Sequence, residues 1–117
     1  MSQRIFARWV DDPLESPITL DAQIGVDGRI VGHWILFGAT GLIARNNRPF
    51  TLDADGQIDF GESSGLQDRY WRTDIRSRPI ALGEKFSVTW SGGESGDYRI
   101  EKIYKPGSKK AKDDPNP

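Results

Sequence analysis

A chain of 117 residues without a single cysteine is long enough for one hydrophobic core and too short for two, and it has no disulfide, thiolate metal site or cysteine nucleophile. Sixteen basic against seventeen acidic residues leave a net charge of −1, so no overall field draws the chain to nucleic acid or an anionic membrane. The longest apolar run, Ile30 to Phe37, contains Gly32 and His33 and is far too short to span a bilayer, and Asp11, Asp12 and Pro13 interrupt the N-terminus before a secretory signal can form; the expectation is a soluble, cytoplasmic protein with no membrane segment.

Taken in chain order, apolar residues recur mostly at every second position, the period that sends alternate side chains of a strand to opposite faces. Ile5 to Val10 reads as a first strand. Asp12-Pro13 followed by Glu15 has the cap-then-proline signature of a helical turn. From Ile18 to Ile24, Ile18, Leu20, Ala22 and Ile24 alternate with Thr19, Asp21 and Gln23, which predicts a half-buried antiparallel strand. Asp27-Gly28 supplies a turn, and the run Ile30 to Phe37 reads as the second arm of a hairpin.

Gly38-Ala39-Thr40-Gly41 reads as a loop. Asn46, Asn47 and Pro49 exclude a helix before Phe50. Phe50 to Leu52 and Gln57 to Phe60 flank Asp53-Ala54-Asp55-Gly56, a second Asp-Gly turn. Ser64-Gly65-Leu66-Gln67 resembles a capping box. In the strand expected at Tyr70 to Ile75, Trp71, Thr73 and Ile75 face the core while Tyr70, Arg72, Asp74 and Arg76 line the outside. Phe86, Val88 and Trp90 share the dry face of a further strand, and the loop Ser91 to Gly96 leads into a last strand from Tyr98 to Tyr104.

The fold class that follows is all-β: a small antiparallel sandwich or barrel of about eight short strands with at most one or two helical turns. Residues 1–104 form the single β domain. The remaining 105–117, KPGSKKAKDDPNP, contain no apolar residue larger than Ala111, so they are expected to be a disordered tail.

Three constellations bear on chemistry. With Gly56 as the sixth position of a calcium loop, Asp53, Asp55, Asp59 and Glu62 occupy the third, fifth, ninth and twelfth, but Thr51 stands where the first carboxylate belongs and Pro49 excludes an incoming helix. An ordinary hairpin turn explains these acids equally well. Arg69, Arg72, Arg76 and Arg78 surround Tyr70 and Trp71, a combination suited to phosphates, stacked bases or a protein partner, although Asp68 and Asp74 offset part of the charge. The lone histidine, His33, has no second histidine or cysteine with which to build a catalytic or metal site.

The four tryptophans, Trp9, Trp34, Trp71 and Trp90, all lie in strand patterns, where core packing or an exposed interface anchor explains them. No cofactor is implied. The function expected is a non-enzymatic module that binds another macromolecule, a protein in the first place, through an exposed sheet face or loops, with Arg69, Tyr70, Arg72, Arg76 and Arg78 as contacts. The alternatives are a small ligand-binding barrel or enzyme with a carboxylate-lined cavity, and a nucleic-acid-binding domain using the Arg69–Arg78 patch.

Overall fold

The period-two pattern resolves into eight antiparallel strands that follow one another around a closed barrel: β1 (Ser2–Trp9), β2 (Ile18–Gln23), β3 (Leu36–Leu42), β4 (Arg45–Leu52), β5 (Gln57–Asp59), β6 (Tyr70–Thr73), β7 (Lys85–Thr89) and β8 (Ser95–Tyr104). The structure is a computed structural model and describes residues 2–42, 45–62 and 68–105. Closure comes from β8 returning to β1, in a register that runs from Arg4 opposite Tyr104 to Trp9 opposite Tyr98 with a bulge between Phe6 and Ala7. The terminal strands therefore present no unpaired edge for another chain to extend. Among the described residues no helix is long and apolar enough to cross a membrane.

Inside the barrel every second side chain is apolar. Ile5 and Ala7 of β1 meet Ile18, Leu20 and Ala22 of β2, and Leu52, Ile58, Val88 and Ile100 complete a buried cluster. Burying side chains of this kind contributes about 1.5–3 kcal/mol each. Thr40 is the one buried polar residue among those described. None of the described carboxylates is buried.

Four local readings are corrected by packing. The run Ile30 to Phe37 is not a hairpin arm, because β3 starts only at Leu36 and residues 24–35 form a connection closed by the lone bridge Ile24–Ile30. Gly28 and Gly32 turn there at φ of +80° and +90°, which ordinary residues resist. His33 consequently sits exposed in a bend. Gly38 to Gly41, read as a loop, lies within β3. A Cβ on Gly38 would collide with the Thr19 carbonyl of β2 and lie 2.6 Å from the Phe50 ring, so the glycine makes room for both the neighbouring backbone and an aromatic core residue.

The third correction bears on the site. β6 ends at Thr73, and Ile75–Ser77 form a 3-10 turn instead of continuing the strand. The Asp74 carboxylate accepts the Ser87 backbone N–H at 2.8 Å and Thr73 Oγ1 accepts that of Ile75 at 3.2 Å, side-chain bonds that compete with the ladder. Ile75 still points inward, 2% exposed, but Arg76 leaves the row of Tyr70 and Arg72. Fourth, β7 stops at Thr89, so Trp90 packs half-buried at the barrel end rather than deep in the core. Asp12–Glu15 is a turn closed by the Glu15 N–H donating to the Asp12 carbonyl at 3.0 Å. Ser64–Gln67 and the expected tail from 106 onward lie outside the described residues.

Candidate binding groove

The arginines of the 69–78 segment have separate fates. Arg69 is fixed by a two-pronged bond to Asp59, Nε to Oδ1 at 2.8 Å and Nη2 to Oδ2 at 3.2 Å, with its guanidinium 4.9 Å from the centre of the Tyr70 ring. Together with the Gly61 N–H, this guanidinium holds the Asp59 carboxyl below its ordinary range, and the carboxylate in turn raises Arg69. Arg78 pairs with Asp74 at 2.8 Å across one turn. That exposed pair contributes little, about 0–1 kcal/mol.

Arg76 does something else. Its Nε donates to the Asp53 carbonyl at 2.7 Å, Nη2 to those of Trp34 and Leu52 at 2.8 and 3.1 Å, and Nη1 to that of Gly32 at 3.3 Å. Burial disfavours its charged form and lowers its pKa. One planar guanidinium thus ties the 24–35 connection to the end of β4, a use its fixed fork of donors suits. The sequence places Arg76 on a contact surface; the 3-10 turn instead aims it at backbone carbonyls.

Tyr70 and Arg72 remain on the outer row. Arg72 makes one long bond, Nη2 to the Asp55 carbonyl at 3.3 Å, and no ion pair among those of the described residues includes it. Both residues line an open groove of about 300 Å³ with Gln57, Trp71, Thr89, Trp90, Ser91 and Gly93. The strands fix this set, since Gln57 and Thr89 both stand opposite Arg72, one on each side. The turn after β7 supplies the rest. Its Gly93 adopts φ +92°, and Ser91 Oγ donates to the Tyr70 carbonyl at 2.9 Å, which holds the turn against β6.

Behind the groove runs a file of edge-to-face rings. Phe60 meets Trp71 at 4.7 Å, Trp71 meets Trp90 at 6.5 Å, and Trp90 meets Trp9 at 5.1 Å between centroids. Such pairs contribute about 0.5–1.5 kcal/mol beyond their burial. Arg48 lies over the Phe60 ring at 3.9 Å and pairs with Asp68 at 3.1 Å. The indole N–H groups of Trp9 and Trp71 are buried without a partner. Trp90, Gln57 and Ser91 were not legible as site residues, because their convergence depends on strand register and on β7 ending one residue before Trp90.

The acidic loop behaves as a turn. Asp53 Oδ1 accepts the N–H groups of Asp55 and Gln57, both at 2.9 Å, and Asp59 is engaged by Arg69 and by Gly61 N at 2.8 Å. Asp55 and Glu62 are exposed. Among the described residues no group of three or more His, Cys, Asp or Glu side chains converges to hold a metal ion. Compared with protein-family models, with curated protein sequences and with solved structures, the chain matches none.

Proposed function

We propose that this protein is a non-enzymatic binding module that holds an extended segment of a partner protein in the groove between β5, β6 and β7. The observation that carries this reading is that Tyr70 and Arg72, from the outer row, line one open groove together with Trp71 and Trp90. Rigid aromatic area beside a guanidinium with no ion pair is the composition favoured at interface hot spots. A segment carrying a carboxylate next to a flat apolar side chain suits it, because Arg72 has donors to spare.

Two observations favour a protein partner over nucleic acid or a small substrate. Asp59 and Asp74 hold Arg69 and Arg78, and Arg76 is bound to carbonyls, so Arg72 is left to neutralise phosphates where several cations are needed. The described buried side chains are apolar apart from Thr40, which gives a carboxylate-lined cavity no support. The cysteine-free composition suits a cytoplasmic setting.

The test is selection from a displayed library of random peptides, followed by titration of the enriched peptides. The expected result is enrichment of acidic, aromatic-containing sequences whose affinity falls at least about tenfold in the Tyr70→Ala/Arg72→Ala double variant, the loss of one hot-spot contact. Unchanged affinity in that variant would overturn the reading. So would steep, salt-dependent binding of an arbitrary oligonucleotide with no peptide selected.

A further inference from the structure

A peptide docks by adding a strand to a sheet edge, by laying a helix in a groove, or as a polyproline-II segment against aromatic side chains. The first needs open backbone groups, and the barrel closes on itself. Beside the groove, β6 is paired with β5 from Tyr70 to Arg72 and with β7 at Arg72 and Thr73. Past that pairing the Tyr70 carbonyl accepts from Ser91 Oγ at 2.9 Å, the Trp90 N–H donates to the Glu94 carbonyl at 2.8 Å, and the Trp90 carbonyl accepts from the Gly93 N–H at 2.9 Å. A partner strand finds no ladder there to continue. A helix fails on size, because a single turn, about 10–12 Å across and about 5.4 Å long, fills more than the groove's volume of about 300 Å³.

We propose that the segment held in the groove is a proline-containing polyproline-II stretch with an aspartate or glutamate beside its prolines, which rests on the peptide-binding reading of the same groove. Polyproline II makes no internal hydrogen bonds and keeps its backbone solvated, so it asks for ring surface and side-chain donors instead of a sheet edge. The groove has both. The Trp71 and Trp90 rings stand at 83° with centroids 6.5 Å apart, an angled corner that takes a pyrrolidine ring. Tyr70, 40% exposed, adds a third ring at the rim. Gln57 and Thr89 bring an amide and a hydroxyl to the same lining, groups that donate to carbonyls.

Arg72 selects the acid. It is exposed, belongs to none of the ion pairs of the described residues, and stands between Gln57 on β5 and Thr89 on β7. No carboxylate is among the residues lining the groove, so the lining carries one positive charge and a segment with one acid complements it. Proline fixes its own backbone angle before binding, and a segment already in its bound conformation loses little freedom when it docks.

Two displayed peptide libraries, one with Pro-x-x-Pro fixed among random residues and one with Ala-x-x-Ala in its place, test the proposal on the full chain. The expected outcome is binders from the proline library alone, carrying Asp or Glu near the prolines, whose affinity falls at least about tenfold when the prolines become alanine or the acid becomes its amide. Arg72→Glu should exchange the selected acid for Lys or Arg, a switch of ligand that damage to the fold would not produce. Equally tight binders from the alanine library overturn the proposal, as do proline binders indifferent to Arg72→Glu; the peptide-binding reading stands in either case if those binders still weaken in Tyr70→Ala/Arg72→Ala. Binders that ignore that double variant, or none from either library, overturn both.

Discussion

Arg76 offers the sharpest test of the architecture, because the 3-10 turn converts a residue expected at the surface into one that joins two parts of the barrel end. Arg76→Ala removes three hydrogen bonds of 2.7, 2.8 and 3.1 Å and a fourth at 3.3 Å. A bond from a charged donor contributes about 1.5–3 kcal/mol, but the net value falls toward about 1 kcal/mol where water can reach the freed carbonyl. The carbonyls lie at a barrel end and the guanidinium recovers its own hydration when removed, so the expected loss is about 2–3 kcal/mol. That is a large share of the 5–15 kcal/mol typical of a whole domain.

Urea denaturation followed by circular dichroism reads this loss as a lower midpoint at unchanged m-value, and a thermal melt as a fall of about 10 °C. Arg76→Lys should keep a minority of the stabilisation, since a point ammonium cannot reproduce a planar fork. Arg72→Ala, changing a solvent-facing residue, should stay within about 0.5 kcal/mol. If Arg76→Ala also falls within about 0.5 kcal/mol, the clamp contributes nothing and the reasoning fails.

Further outcomes follow from the packing. Gly38→Ala should cost about 1–3 kcal/mol in urea denaturation, because its Cβ would collide with the Thr19 carbonyl and lie 2.6 Å from the Phe50 ring in a filled interior. Trp90→Ala should cost about 2–4 kcal/mol by opening a cavity between Trp9 and Trp71, and a cost near zero would mean that the ring file does not pack as described. The Asp59 carboxyl titrates below its ordinary value of 3.8 in the folded chain, chiefly through Arg69. The unfolded chain therefore takes up that proton first, and the stabilisation is full above the ordinary value and lost as pH falls through the folded one. The stability gap between wild type and Asp59→Asn should accordingly hold at neutral pH and close on acidification below about pH 4; a gap that persists in acid would show that the carboxylate charge is not what matters.

Period-two alternation was sufficient by itself to determine an all-β chain, the β2 segment with Ile18, Leu20 and Ala22 inward, and the Asp53–Gly56 turn, because these depend on residues within one strand or one turn. It also brought Tyr70 and Arg72 to the same outer face, which any strand at that position requires. Tertiary structure alone decided that the sheet closes as a barrel, since pairing β8 with β1 joins residues about as far apart as the chain allows. Long-range contacts likewise overrode local pattern at three places: Phe50 needs Gly38 inside a strand, Ser87 captures Asp74 and ends β6, and the carbonyls of Gly32, Trp34, Leu52 and Asp53 converge where Arg76 can reach them. Each of these contacts joins different strands or connections, so alternation within one strand cannot show it. For the same reason the groove could not be read beforehand: Gln57, Arg72 and Thr89 are neighbours only through the register of three strands.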